Sequence, residues 1–440
     1  MARAKKEAAL TPEERLQAAL VPDWEWPYKL PENWCWTYFK SISTIQTGKK
    51  DANYGSDEGK YPFFTCAAEP IRCHGYSFDC RAILLAGNGD INNISRYNGK
   101  FEAYQRTYVV KIAEPLCFDY IFYWFKYRWF DFNKGKMFGT AIPYIRLGNL
   151  QEFPTPIPPL AEQQRIVDRI ESLFAKLDEA KEKAQAVVDS FETRKAAILH
   201  KAFTGELTAK WREEHDVGME SWEYIPFETI IEKMQNGLAK RKGISGTPYV
   251  VLRLANLTDC GFNTDDLREI LLDEKEQANY ELRPNDVIMI RVNGSKDNVG
   301  KQYLITNQHH WAFCDHIIRI RYSSSLLPQY MVYFSKSKNY RIYVKENIVS
   351  SAGQNTISRK GMANLHVPLP RMNEQSEIVR ILDMAFAEEQ QAKEAAEAVL
   401  DQIDLMKKSI LARAFRGEMG TNAPSEESAV ELLKRGLEKK

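Results

Sequence analysis

The chain writes one helix ending twice, "AILHKAFTGEL" at Ala197–Leu207 and "SILARAFRGEM" at Ser409–Met419. Ile198 and Ile410, Leu199 and Leu411, Ala202 and Ala414, Phe203 and Phe415, Gly205 and Gly417, and Glu206 and Glu418 all lie 212 positions apart. Upstream and without a gap, the same offset pairs Pro156 with Pro368, Pro158 with Pro370, Glu162-Gln163 with Glu374-Gln375, Ile166-Val167 with Ile378-Val379, and Phe174-Ala175 with Phe386-Ala387. A repeat this long is half a protein rather than a solenoid unit, so it predicts two similar halves and a pseudo-symmetric molecule. The full length of 440 residues agrees with two or more domains.

Each copy contains a heptad seam. Apolar residues fall at 166, 170, 173, 177, 180, 184, 187 and 191 and resume at Ile198. In the second copy they are Ile378, Leu382, Ala385, Ala392, Ala396, Val399, Ile403, Met406 and Ile410. Arg194 breaks the first seam and Glu389 the second. Pro158-Pro159, and Pro368 with Pro370, precede the helices, and Gly205 and Gly417 close them. Each helix should run about 40 residues, or about 60 Å. A narrow apolar stripe flanked by charge has to be buried on a partner. An antiparallel pair within the chain, with a globular domain at each end, meets that need; a homodimerising coiled coil is the alternative. Two strands already joined at high effective concentration favour the intramolecular pair.

The expected organisation is an N-terminal arm (1–30), a first globular domain (31–158), a first helical spacer (159–217), a second globular domain (218–368), a second spacer (369–420) and a C-terminal tail (421–440). The globular segments begin alike, Trp34, Phe39 and Ile42 matching Trp222, Phe227 and Ile230, and "AILLAGNGD" (Ala82–Asp90) parallels "VIMIRVNGS" (Val287–Ser295). Elsewhere they diverge and the offset drifts, so the scaffold is shared while the insertions differ. Apolar, β-branched and aromatic runs at Ala82–Leu85, Tyr108–Ile112, Tyr249–Leu254, Val287–Val292 and Ile317–Tyr322 read as strands, and the Asn-Gly pairs at 88–89, 98–99 and 293–294 as turns. Tyr120–Phe132 and Pro328–Lys336 look helical or mixed. Each segment is expected to be an α/β domain with a curved, mainly antiparallel sheet.

Residue chemistry points to a binder. Lys plus Arg number 60 against 59 Asp plus Glu, so positive charge for a polyanionic partner must be local. Seven dispersed cysteines (35, 66, 73, 80, 117, 260 and 314) and no secretory or membrane-spanning stretch imply a reducing cytoplasm. Cys66, Cys73, His74 and Cys80 lack the short paired spacing of a zinc site and read as packed thiols; His309, His310 and His316 read as surface or strand-lining residues. Gly87-Asn-Gly89 lacks the third glycine and the helix of a dinucleotide loop. There is no Walker lysine loop and no Asn- or Asp-Pro-Pro-Tyr tetrapeptide of amino-methyl transfer, and Pro284-Asn-Asp286 lacks the acidic-x-Lys partner of a nuclease.

What recurs in both halves is a set of basic and polar loops: Thr47-Gly-Lys49-Lys50, Arg96 through Lys100, Lys240-Arg241-Lys242, Asn293-Gly-Ser295-Lys296 and Gly353-Gln354-Asn355. Lysine meets phosphate, and Arg, Asn and Gln bond base edges in the major groove, so Lys49, Lys50, Arg96, Lys240, Arg241, Lys242, Asn293, Ser295, Lys296, Gln354 and Asn355 are the candidate DNA contacts. Taken singly, each cluster is also an ordinary solvated turn.

"PPLAEQQRIVDRIESLFAKLDEA" and "LPRMNEQSEIVRILD", each running on to "KAFTGEL" or "RAFRGEM", resemble the specificity subunit of type I restriction-modification enzymes, and the resemblance covers nearly the whole chain. It implies two target-recognition domains, each reading one half of a bipartite double-stranded DNA site, with the paired helices as a spacer of fixed length. It implies no catalysis and no cofactor in this chain, with S-adenosylmethionine held by two methyltransferase subunits and further chemistry by restriction and translocase subunits. Two docking ends for two such subunits would explain the repeated motif, with Phe203, Glu206, Phe415 and Glu418 as candidate contacts. Two readings are open for the phenylalanines: each closes its own helix end, or both present aromatic surface to a partner, which the duplication favours. A DNA methyltransferase with its own catalytic domain, and a coiled-coil organiser that binds no DNA, are the alternatives.

Overall fold

A computed structural model describes residues 11–259 and 261–438, which leaves Cys260, the first ten residues of the arm and the last two of the tail outside the described residues. The chain divides into two compact units, residues 1–184 with 398–440, and residues 185–397.

The first unit contains α1 (Pro12–Ala19), β1 (Cys35–Tyr38), β2 (Ser43–Thr47), β3 (Tyr61–Phe64), β4 (Ile71–Cys73), β5 (Phe78–Ala86), β6 (Ile94–Ala103), β7 (Thr107–Ile112), α2 (Phe118–Asn133), α3 (Leu147–Gln151) and β8 (Pro154–Ile157). It also holds the first half of α4 (Leu160–Phe203). Six strands form one sheet in the order β2-β7-β5-β6-β3-β4, antiparallel except for the β3/β6 pair, while β1 and β8 make a separate antiparallel ribbon. The "AILLA" run forms the buried end of β5 because strands flank it on both sides. α2 buries Tyr120, Ile121, Trp124, Phe125 and Trp129 over the core. One expected turn is corrected: Asn98-Gly99 lies inside β6, where Gly99 opposes Cys80 in an unbroken β5/β6 register from Phe78↔Phe101 to Leu85↔Ile94. Pairing along the whole strand outweighs the local turn preference.

The second unit contains α5 (Ala209–Glu214), β9 (Glu223–Pro226), β10 (Ile231–Asn236), β11 (Thr247–Leu252), β12 (Leu257–Thr258), β13 (Gly261–Phe262), β14 (Glu269–Leu272), α6 (Glu274–Tyr280), β15 (Val287–Ile290), β16 (Val292–Asn293), β17 (Gln302–Leu304), β18 (Trp311–Phe313) and β19 (Ile317–Tyr322). There follow α7 (Pro328–Phe334), α8 (Lys338–Glu346), β20 (Val349–Ser351), β21 (Gln354–Thr356), α9 (Arg359–Met362), β22 (His366–Leu369) and the first part of α10 (Met372–Phe415). Its sheets are β10-β19-β15-β17, β14-β11-β18 and β16-β21-β20, with β9 and β22 as the counterpart of the β1/β8 ribbon. The remainder of α10 and a last helix, α11 (Ala429–Glu438), belong to the first unit.

Both long helices have 44 residues and pack together antiparallel within each unit. In the first, Lys407 meets Asp178 at 2.5 Å and Asp404 meets Lys181 at 4.0 Å. In the second, Lys393 lies over Phe191, and Arg194 Nε bonds Glu389 at 2.7 Å. The two residues that break the seams are therefore each other's partners.

The duplicated Glu-Gln has the same task in both units. Glu162 Oε2 accepts from Trp34 Nε1 (2.8 Å), and Glu374 Oε2 accepts from Trp222 Nε1 (3.0 Å). Gln163 accepts from the Cys117 N–H ahead of α2 and donates to Pro158 O, and Gln375 accepts from the Leu327 N–H ahead of α7 and donates to Pro370 O. Each pair ties the start of a long helix to its own globular domain through buried side chains, which are strongly constrained because an unbonded polar group there is costly. The chain that follows each repeated ending completes the carboxylate's shell: Thr208 and Arg212 on Glu374, Thr421 and Asn422 on Glu162. The C-terminal tail is thus built into the first unit, where Arg165 also binds Glu426 at 2.8 Å and the Ala429 N–H donates to Asn33 O.

Candidate nucleic-acid interface

In the first unit three turns converge at one end of the sheet. The Gly48 N–H donates to Thr107 O (3.2 Å), the Gly87 N–H to Arg106 O (2.8 Å) and the Gln105 N–H to Lys50 O (2.9 Å). Over them lies the Phe138–Tyr144 hairpin, closed by reciprocal backbone bonds of 2.9 and 2.8 Å and fixed by the Gly89 N–H on Pro143 O (2.8 Å). A cleft of about 690 Å³ opens beside it, lined by Gln46, Thr47, Lys49, Ser77, Tyr108 and Leu147. Lys49 and Arg106 are exposed, Lys50 lies 4.4 Å from the Tyr54 ring centre, and Arg146 stacks on Phe138 at 3.8 Å.

The second unit repeats the arrangement. The Gly237 N–H donates to Ile317 O (3.0 Å), the Val292 N–H to His316 O (3.2 Å), and the β20–β21 hairpin pairs with β16 just ahead of Gly294. Its cleft, about 280 Å³, is lined by Lys240, Arg241, Arg253, Arg268 and His316 among others. Asn88 and Asn293, the shared residues of the two "NG" motifs, each bridge to the hairpin, Asn88 to Tyr144 and Asn293 to Asn355. Arg106 and His316 are equivalent positions that sequence reasoning missed. The signal was their place in the short turn ahead of the matched strands β7 and β19.

The expected contacts divide on this geometry. Lys49, Lys242 and Lys296 are exposed and make no ion pair among the described residues, and Gln354 is exposed near the hairpin tip. Ser295 is exposed too, its N–H held by Asn293 Oδ1 at 2.9 Å. Six of the expected residues are engaged within the fold. Asn355 is buried, its amide donating to Gly294 O (2.8 Å) and accepting from Ser350 Oγ (2.7 Å), so it builds the hairpin. Arg96 binds Asp119 and stacks 4.8 Å over Phe122, bracing β6 against α2. Lys240 is chelated by both oxygens of Glu276 at 2.9 and 2.8 Å, and Arg241 is bidentate on Asp315 at 3.0 and 3.1 Å. Both already have an anion, which lowers their value for phosphate. Finally, Phe203 and Phe415 present no aromatic surface. Phe415 is fully buried among Tyr120, Trp124 and Tyr127, and Phe203 is buried against Tyr330 and Phe334. Glu206 and Glu418 beside them are exposed.

Cys314, Asp315 and His316 have metal-like proximity. Burial works against ionising Asp315, yet Arg241 and His316 hold its carboxyl below the ordinary range, and a guanidinium clamped on the carboxylate repels a cation there. Asp286, from the motif weighed as a nuclease fragment, is buried and bonds Arg321 at 2.6 Å. Cys73 is buried and donates to Gly75 O, and His309 stacks on Trp311 at 4.1 Å. No described helix is long and apolar enough to cross a membrane.

The chain belongs to the type I restriction modification DNA specificity domain family, whose model matches residues 31–188 and 228–398. It is similar to the type I restriction enzyme StySPI specificity subunit of Salmonella potsdam, 34% identical over 284 residues that cover 64% of this chain and 61% of that protein. The EcoKI specificity subunit of Escherichia coli strain K12 is 30% identical over 286 residues, covering 64% and 61%. The EcoDI specificity subunit of Escherichia coli is 27% identical over 400 residues, covering 85% and 86%. The chain thus spans about three fifths of the length of the first two relatives it matches. Among solved structures, a chain of a type I R-M system matches with a TM-score of 0.62 at 20% identity, covering 89% of this chain and 100% of that one. The HsdS subunit from Thermoanaerobacter tengcongensis matches at 0.57 and 19%, covering 90% and 100%. These two share the fold.

Proposed function

We propose that this chain is the non-catalytic DNA-recognition subunit of a type I restriction-modification complex, in which each unit reads one half of a bipartite duplex site. The observation that carries the reading is that one strand order is built twice, each time ending in the same three converging turns and overlying hairpin. Rigid strands position loops whose residues are free to differ, which suits base recognition by two separate surfaces. On this reading residues 31–158 and 218–368 are the recognition domains, and 159–217 with 369–420 are the spacer. Two methyltransferase subunits, bringing S-adenosylmethionine, dock at the exposed surface of the two repeated endings around Glu206 and Glu418. Restriction and translocase subunits complete the assembly in the cytoplasm. The test is selection from random duplexes by the chain assembled with its methyltransferase partner. Enrichment of one split motif is expected, and recovery of no motif contradicts the reading.

A further inference from the structure

Each candidate interface projects a branched aliphatic side chain into solvent from a braced loop. Ile244 is 98% exposed in the loop that joins β10 to β11, and Ile142 is 61% exposed near the tip of the 138–144 hairpin. Neither loop is slack. The second unit's loop is held by Lys240 on Glu276, by Arg241 on Asp315 and by Arg268, whose guanidinium donates to Arg241 O. At its end Gly246 (φ 121°) passes so close to Leu272 that a Cβ would lie 2.1 Å from the carbonyl oxygen. In the hairpin, Gly139 (φ 84°) folds back so that a Cβ would lie 2.6 Å from Ile142 O, and Pro143 O is bound by the Gly89 N–H.

The two isoleucines occupy different loops, so the 212-residue repeat does not account for them. Their surroundings agree nonetheless. Ile244 follows Arg241 and the exposed Lys242, while Ile142 stands between Lys136 and Arg146, both laid on aromatic rings. A β-branched side chain this exposed, 98% for Ile244 and 61% for Ile142, adds little to folding and stands here on a braced, cationic loop. It suits an apolar feature on a polyanion, and in the major groove that feature is the thymine 5-methyl group. We infer that Ile142 and Ile244 read thymine methyl groups, one in each half-site; the inference rests on the DNA-recognition reading above.

The experiment uses the full chain assembled with its methyltransferase partner and duplexes of the selected motif in which each thymine in turn is replaced by deoxyuridine, which removes only the methyl. Wild-type complex is expected to lose about fourfold in affinity at one thymine in each half-site, the equivalent of one buried methyl-sized group. Ile244→Ala should abolish that sensitivity in one half-site, and Ile142→Ala in the other. Sensitivity that survives both substitutions, insensitivity of the wild type at every thymine, or a half-site without an A·T pair overturns the inference. Absence of any motif preference instead overturns the recognition reading beneath it.

Discussion

The two units lay the same path in different cloth. In the first, β6 runs unbroken for ten residues, pairing with β5 along its length and with β3 at its end. In the second, the matching path is cut in two. β17 pairs with β15, β18 pairs with β11, and an exposed run, Thr306–His310, separates them. α2 is likewise one helix of 16 residues where α7 and α8 are two, divided at Ser335–Ser337. Positions that fix register and helix attachment are repeated, while the length and continuity of the strands and helices between them differ. The buried carboxylates sharpen the point: Glu162 is held by an indole, a hydroxyl and an amide, Glu374 by an indole, a hydroxyl and a guanidinium.

The largest expected effects come from the repeated core. Phe415→Ala should destabilise the first unit by about 3–5 kcal/mol, as removal of a buried ring does, read as a shift in denaturant midpoint. Loss of methyltransferase assembly at an unchanged midpoint would return this residue to an interface.

The unlike carboxylate shells give the next contrast. Arg212→Ala leaves Glu374 buried without its counter-ion, 2.6 Å away in the wild type, and should cost about 3–5 kcal/mol. Asn422→Ala removes one of several bonds to Glu162 and should cost about 1 kcal/mol. Equal losses in urea titrations would mean that the two shells do the same work.

The carboxylate of the first unit also gives its stability a pH dependence. Burial raises the Glu162 carboxyl above its ordinary value of 4.5, against the hydrogen bonds from Trp34, Asn422 and Thr421. A raised acid favours the folded state below its ordinary pKa, and that contribution is lost as pH rises through the folded value. Glu162→Gln should therefore flatten the decline in first-unit stability above about pH 4.5, followed by denaturant titration at several pH values. An unchanged slope would assign the decline to other groups.

The smallest effect concerns charge. Lys49→Ala and Lys242→Ala should each lower the slope of log affinity against log salt by roughly 1 if the side chain meets a phosphate. Lys240→Ala, already paired with Glu276, should change it less. Equal slopes for all three variants would remove this distinction.

Much of this organisation was legible in the sequence because it depends on spacing. The 212-residue offset gave the duplication, and the heptads gave two antiparallel helices with breaks at Arg194 and Glu389; that the two breaks answer one another is visible only in the structure. The strands around "AILLA" and "VIMI" were readable as apolar runs. Side-chain partners were not. Asn355, Arg96, Lys240 and Arg241 read as free polar groups because their partners are distant in sequence or hidden by turn geometry: Glu276 is 36 residues from Lys240 and Asp315 is 74 from Arg241. Phe203 and Phe415 were read outward because the motif shows identity without direction, and only the rings of α2 and α7 reveal the inward face.

The central claim, that two like units read two half-sites, is tested most directly by a genome-wide map of methylated bases in cells making this chain with the methyltransferase proposed as its partner. The account predicts one motif of two specific halves separated by a gap of constant length, and Lys242→Ala or Ile244→Ala altering the use of one half alone. A contiguous motif, or a single substitution that relaxes both halves equally, would contradict it.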